Sequence, residues 1–335
     1  MSKLLVTGSA GFIGFHVALY FLNKGMNVTG IDSFNDYYPV ALKKMRNDVL
    51  ESYDNFTSLP MDIADTANCT STIADGDFTC ICHLAAQAGV RYSLIDPITY
   101  VSSNLVGFVN ILEGVRHNKK KPRLVYASSS SVYGGNTTLP FKEDAAVDTP
   151  ISFYAATKKA NELMAHTYSH LYGMETTGLR FFTVYGEFCR PDMMLWKFTE
   201  AIHYDEPIYL YNEGKQERSF TYIDDIVSGI SSAMFAPKSS MYEIFNLGNN
   251  HREKLIDVVA TLENAMKKKA IIELAPLQPG DMTTTWADIT KASITLDFKP
   301  VTSFKDCVEI FVRWYKANPE AAQIVHQWRK SSSHT

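Results

Sequence analysis

Short apolar runs separated by longer amphipathic stretches recur through the first half of the chain. Lys3-Leu4-Leu5-Val6-Thr7 is the first, and its near-continuous apolar character predicts a strand buried on both faces. Asn27-Val28-Thr29-Gly30-Ile31 is the second and ends at Asp32. Further strands are predicted at 57–61, 79–84, 123–128 and 176–182, with helical patterns between them. Such alternation of strand and helix predicts an α/β fold with a doubly wound parallel sheet. The helix expected over 99–117 is apolar on more than one face, through Val101, Leu105, Phe108, Val109, Leu112 and Val115. A helix of that kind either lies between a sheet and a partner or is deeply buried; a homodimer through it and the Tyr154 helix is the expectation. Beyond Glu187 the pattern loosens into short strands, loops and helices. The expected organisation is a sheet domain over 1–186, to which 218–236 returns, and a smaller mixed α/β substrate-binding region over 187–330. The serine-rich 331–335 is expected to be a disordered tail.

The first run leads directly into Gly8-Ser9-Ala10-Gly11-Phe12-Ile13-Gly14 and then an amphipathic stretch reaching about Gly25. Strand, glycine turn and helix in this order form the context a dinucleotide fingerprint requires. Glycines let the backbone approach a pyrophosphate, whose charge meets the helix N-terminus. The sheet is therefore expected to be of Rossmann type, with Gly8, Gly11, Phe12, Ile13 and Gly14 around the cofactor. Asp32 falls about 20 residues past the turn, where an acid accepts the adenosine 2′-hydroxyl. It would repel a 2′-phosphate, which favours NAD over NADP. Asp62-Ile63 after the third strand is expected at the adenine pocket. The small residues of Leu84-Ala85-Ala86-Gln87 after the fourth let a cofactor lie against the backbone. Asn104 is expected among the cofactor-binding residues, supporting the active-site strand from the long helix, and His83 reads as a satisfied strand histidine rather than a catalyst.

Downstream, Ser128-Ser129-Ser130-Ser131 precedes Tyr154-Ala155-Ala156-Thr157-Lys158. A tyrosine with a pKa near ~10 is a poor base at neutral pH. Lys158 lies one helical turn away, and its charge, like that of a nicotinamide cation, would favour the phenolate. Tyr-x-x-x-Lys alone is a weak signal. With the serine run and the glycine turn it describes removal of a hydride from a carbon bearing a hydroxyl.

Composition narrows the picture further. A net charge of −4 gives no basic surface for nucleic acid, and no stretch reaches the ~18 apolar residues of a membrane span. Cys69, Cys80, Cys82, Cys189 and Cys307 are scattered and odd in number, so neither a metal site nor a disulfide framework is expected. A reducing, cytoplasmic setting fits them.

Longer strings carry a resemblance to the extended short-chain dehydrogenase/reductases, and within them to the UDP-glucuronate 4-epimerases. They are 83–93, 126–134, 154–172, Arg180-Phe181-Phe182-Thr183-Val184-Tyr185-Gly186, Arg190-Pro191-Asp192-Met193 and Phe220-Thr221-Tyr222-Ile223-Asp224-Asp225. The resemblance implies a tightly held NAD and a UDP-sugar substrate. It gives Tyr154 the sugar 4-hydroxyl proton, Lys158 the nicotinamide ribose and Ser129 the place of the active-site serine. Ser130, Ser131 and Thr183 fall beside the sugar, Arg190, Arg218 and Asp281 at the uridine diphosphate, and Arg91 on a loop that closes over the substrate. Glu187-Phe188-Cys189 departs from the Pro-Trp-Gly common in relatives and is expected to add a carboxylate near the pocket.

Ser130 and Ser131 stand where the related dehydratases carry Asp-Glu, and decarboxylases typically Glu at the second position. Hydroxyls can hydrogen-bond a sugar or a carboxylate but cannot serve as general acids there. That favours 4-epimerisation. A neutral UDP-hexose 4-epimerase and, behind it, a UDP-glucuronate decarboxylase remain open. A nucleotide sensor has no need for the Ser129–Tyr154–Lys158 set.

Overall fold

The computed structural model describes residues 3–237, 240–276 and 284–331. Asp281 and positions 332–335 of the expected tail lie outside them. Seven strands form one sheet: β1 (Lys3–Thr7), β2 (Asn27–Asp32), β3 (Phe56–Pro60), β4 (Cys80–His83), β5 (Arg123–Ser129), β6 (Thr176–Phe181) and, far along the chain, Tyr242–Leu247. All neighbours are parallel, in the order Tyr242–Leu247, β6, β5, β4, β1, β2, β3. The order reverses beside β1, so the carboxyl ends of β1 and β4 flank the crevice where ligands of such sheets bind.

Alternation along each strand divides the core. Leu4 and Val6 join Phe12, Phe15, Phe21 and Leu42 under α1 (Phe12–Asn23) and α2 (Val40–Glu51). Leu5 faces the other way, with Ile73, Phe108, Leu112 and Tyr126. That second layer is built by α3 (Thr66–Ala74), the helical stretch from Pro97 to His117 and the helix Phe153–Tyr172. The helix expected over 99–117 begins instead at Pro97, with Asp96 as its cap: Thr99 N–H donates to Asp96 Oδ1 at 3.2 Å. It also widens into a π turn over Val101–Val106 before continuing as Gly107–His117. Leu94, Ile95, Ile98 and Val106 near its start are exposed, as are Leu163 and Leu171 on Phe153–Tyr172.

Beyond residue 186 the chain alternates between the two halves. Thr183–Tyr185 pairs with Phe220–Tyr222, and Glu217–Arg218 pairs with Glu253–Lys254 and Thr284–Thr285. The helix Ile223–Phe235 packs beside α1: its Ile226, Ile230 and Met234 join the core there, and Phe235 meets Phe21 edge-on. Tyr242–Leu247 follows as the sheet's outer strand, parallel to β6. Among the described residues no helix is long and apolar enough to cross a membrane, and no group of three or more His, Cys, Asp or Glu is placed to hold a metal.

Candidate active site

A cleft of about 1360 Å³, counting its open mouth, runs across the carboxyl ends of β1, β2, β4 and β5. At its floor Gly8 takes a positive φ of 73°, and Gly11 N–H donates to Gly8 O at 2.9 Å. A Cβ on Gly14 would lie 2.0 Å from Gly8 O, so only glycine allows this closure. The first turn of α1 has no side-chain cap, which leaves its N–H groups for an anion. Thr7 ties β1 to β4: its Oγ1 accepts from Leu84 and Ala85 N–H and lies 2.8 Å from His83 Nδ1. With its acceptor sites so engaged, the Thr7 hydroxyl donates to Nδ1 and fixes His83 as the Nε2–H tautomer. Burial, with Lys158 nearby, lowers the His83 pKa to about 3. The ring is a neutral strand group, as its sequence context indicated.

Asp32 closes the other side. Its Oδ2 accepts from Ala10 N–H at 3.0 Å and its Oδ1 from Phe34 N–H at 2.9 Å, with lone pairs left for a ribose. Lys43 stands nearby, its Nζ donating to Asn35 O and Oδ1 at 2.6 Å, and burial lowers its pKa to about 8. Asp62, Ile63, Leu84, Ala85, Ala86 and Gln87 line the same half of the cleft. The Gln87 Nε2 is buried there without a hydrogen-bond partner. Asn104 does not line the cleft. It supports Gln87 from behind, accepting its N–H at 2.8 Å and donating to its carbonyl at 3.0 Å, while also reaching Thr157. Three closely packed glycines, a free helix N-terminus, a ribose-facing acid and an orphaned amide together fit a dinucleotide.

Phe153–Tyr172, capped by Ser152 and ended at left-handed Gly173, carries the chemistry. Tyr154 is half-buried and lines the cleft, and Ser129 at the end of β5 is buried beside it. The dense surroundings raise the Tyr154 pKa, while Arg190 and then Ser129 pull it back toward the phenolate. Lys158, expected in that role, turns its ammonium onto Ala127 O at 2.9 Å, and burial lowers its pKa to about 8. Arg190 adds a cation whose field favours the Tyr154 phenolate. Behind this wall a buried network fixes the frame. Ser128 donates to Glu162 Oε1 at 2.6 Å, and Arg180 grips both Glu162 oxygens at 2.8 and 2.9 Å.

On the substrate side Thr183 and Arg190 line the cleft with Tyr154. Ser131 N–H and hydroxyl both lie 3.1 Å from Ser129 Oγ, which draws the serines into one hydroxyl cluster, with half-buried Ser130 between them. Arg91 is exposed, with its guanidinium 5.2 Å from the Tyr211 ring centre. Arg218 sits on Glu217–Arg218, its Nη1 donating to Glu217 O at 3.0 Å. Neither reaches the cleft wall.

Glu187, expected to add a carboxylate near the pocket, does not itself line the cleft: its Oε2 accepts from Tyr222 Oη at 2.8 Å. The departure is a strap. Phe188 takes a φ of 53°, and His16 Nε2 reaches Glu187 O at 2.9 Å. Arg46, fully buried, donates to Ala10 O at 2.9 Å, to Tyr38 Oη at 2.8 Å and to Phe188 O at 2.6 Å. Sequence reading missed Arg46, Lys43, Tyr37 and Asp192. For the first two a signal existed, since Lys43, Arg46 and Asn47 put a polar stripe on a helix whose other inward positions are leucines.

Residues 5–311 match the sequence profile described as GDP-mannose 4,6 dehydratase. The chain is 44% identical over 328 residues to UDP-glucuronate 4-epimerase 3 of Arabidopsis thaliana, covering 93% of this chain and 76% of that protein. It is 41% identical over 333 residues to the probable UDP-glucuronate 4-epimerase of Rhizobium meliloti, covering 94% and 97%. Its fold matches the crystal structure of UDP-glucuronic acid 4-epimerase from Bacillus cereus in complex with UDP-glucuronic acid and NAD. That match has a TM-score of 0.88 and 34% identity, and covers 94% of this chain and 99% of the other.

Proposed function

Because the chain belongs to the GDP-mannose 4,6 dehydratase family of extended short-chain dehydrogenase/reductases, we propose that it interconverts UDP-glucuronate and UDP-galacturonate. The reaction class, NAD-dependent 4-epimerisation of a UDP-sugar, is that of its relatives. The observation favouring epimerisation over elimination is the distribution of acids. Among the described residues, the only carboxylates lining the cleft are Asp32 and Asp62, both at the cofactor end. Around Tyr154 the wall offers hydroxyls, apolar groups, Lys158 and Arg190. Loss of water from the sugar needs an added acid and base; 4-epimerisation needs one proton shuttle.

The residues divide the work as follows. NAD, when bound, takes up and returns the hydride of C4. Tyr154 removes the 4-hydroxyl proton and gives it back, and Ser129 holds the same oxygen. Arg190 favours the phenolate by its charge. Lys158, held beneath by Ala127 O, reaches the nicotinamide ribose. Gly8, Gly11, Phe12, Ile13 and Gly14 seat the pyrophosphate, Asp32 the adenosine ribose and Asp62-Ile63 the adenine. Arg190, Arg218 and Asp281 belong to the uridine diphosphate, and Arg91 to a loop that closes over the substrate. A 4-keto glucuronate is a β-keto acid that loses carbon dioxide when its carboxylate aligns with the ketone. Ser130, Ser131 and Thr183 restrain that carboxylate by hydrogen bonds without supplying an acid. The assembly is a cytoplasmic homodimer, closed over Leu94, Ile95, Ile98 and Val106 and the exposed leucines of the Tyr154 helix.

Incubating the protein with UDP-glucuronate, UDP-glucose or UDP-N-acetylglucosamine, with no added cofactor, tests the assignment by product separation. UDP-galacturonate is expected. Hexose turnover alone makes the chain a neutral-sugar epimerase, and UDP-pentose as the main product makes it a decarboxylase.

A further inference from the structure

Arg190 enters the cleft from a backing carboxylate. Its Nε and Nη2 donate to Asp192 Oδ1 and Oδ2 at 2.9 and 2.7 Å, the two-point contact that fixes a guanidinium plane. Tyr37 Oη in turn donates to Asp192 Oδ2 at 3.3 Å. Each side chain of the ion pair is 23% exposed, so the pair is neither sealed in the core nor loose on the surface. Two of the five guanidinium protons are used, which leaves the Nη1 edge for a ligand. Arg190 and Tyr37 both line the cleft that holds Tyr154, whereas Asp192 stands behind them. Tyr37 is itself braced: its ring centre lies 4.9 Å from that of Tyr92, and a Cβ on Gly89 would come within 2.9 Å of its hydroxyl.

We propose, building on the UDP-glucuronate reading above, that Asp192 with Tyr37 behind it is a positioning residue: it holds the Arg190 fork so that its free edge meets an anionic group of the substrate above Tyr154. Without the carboxylate the arginine keeps its charge but loses its aim. A long side chain then has to be ordered by each substrate it binds. Lys197 and Arg329 also face Asp192, and Lys43 and Arg46 add positive charge beside Arg190 and Cys189, so the neighbourhood stays cationic without it. The loss is one of geometry. It falls on substrate binding and kcat/KM, while NAD content is unchanged.

A double-mutant cycle separates aim from fold support. Parent, Asp192→Asn, Arg190→Met and the double variant are compared by kcat, KM and NAD content. Calorimetric Kd values for UDP-glucuronate are taken in a Tyr154→Phe background, which prevents turnover. Asp192→Asn is expected to weaken substrate binding about tenfold in the parent, as removal of one charged partner does. It should have no further effect once Arg190 is gone. Tyr37→Phe, which leaves the ion pair intact, should weaken binding in the same direction by a smaller factor. The same factor for Asp192→Asn in both backgrounds, or a Kd untouched by both Asp192→Asn and Tyr37→Phe, overturns the proposal. A parent that accepts only a neutral UDP-sugar overturns the substrate reading instead. The same cycle on that sugar still judges Asp192, since its diphosphate is anionic.

Discussion

Replacing Gly14 by alanine tests the cofactor seat at its tightest point. The new Cβ would stand 2.0 Å from Gly8 O and 2.7 Å from Gly8 C, both backbone atoms that no rotamer change can move. Real Cβ contacts stay at 3.0 Å or more, so the turn and the start of α1 must separate by at least 1 Å. Overpacking of this kind costs about 1–3 kcal/mol. Spread over an unfolding entropy of about 2.1 cal/mol/K per residue for 335 residues, that lowers Tm by only roughly 1.5–4 °C. The functional loss is expected to be far larger. A displacement of about 1 Å at a reacting geometry removes on the order of 10²-fold in rate, and the pyrophosphate seat itself is opened. Gly25→Ala is the control: its φ of 73° matches that of Gly8, not Gly14, and nothing lies within 4 Å of its Cβ. It carries the backbone cost of about 1–2 kcal/mol with no contact at the cofactor. The assay is dinucleotide released per chain on denaturation, measured by absorbance and mass spectrometry beside a melting curve. A Gly14→Ala chain that purifies with as much NAD as Gly25→Ala, and turns over normally, would refute the reasoning.

Other outcomes follow from the same geometry. Tyr154→Phe should lower turnover about 10²–10⁴-fold while NAD stays bound, since only the proton-shuttling oxygen is lost; steady-state rates and cofactor content decide it. Thr183→Val keeps the volume but removes a hydrogen bond of about 0.5–1.5 kcal/mol, or more to a carboxylate. Mass spectrometry should then show slower turnover and a larger UDP-pentose fraction. Acid should destabilise the fold through His83 and His16, whose pKa values burial lowers to about 3 and about 4. Both stay neutral in the folded state while the unfolded chain takes up protons below its pKa of about 6.5. Stability is therefore complete above pH 6.5 and falls below it, by about 2 kcal/mol for each histidine at pH 5. Urea midpoints across that range should show the decline, and His83→Asn should flatten part of it; a parent midpoint that does not move would contradict the buried neutral state.

The parallel sheet was readable because its strands are buried on both faces and therefore nearly continuous in apolar residues. Tyr242–Leu247 escaped notice since Glu243 and Asn246, both buried, interrupt its run. Asn246 earns its place through partners distant in sequence, accepting from Tyr133 and donating to the carbonyls of Phe141 and Asp288. The π turn over Val101–Val106 was invisible for a different reason: a widened turn shifts the helical period by one residue without changing composition. At the site, the glycine turn, Ser129, Tyr154 and Lys158 were legible because each belongs to a short, regularly spaced motif. The roles of Glu187 and Asp192 were not. One depends on Tyr222 and the other on Tyr37, contacts set by how loops meet across the cleft.

The strap over 187–189 has an implication for anyone recombining parts of such enzymes. Arg46 holds a carbonyl of the glycine turn in one hand and a carbonyl two residues before Arg190 in the other, and His16 adds a second tether from α1. Substrate loops transplanted from a relative onto this scaffold would therefore arrive without their moorings, whatever their own sequence. The unit of exchange is not the loop. It is the loop together with the inward faces of α1 and α2, so altered sugar preference and intact cofactor retention have to be sought in the same transplant.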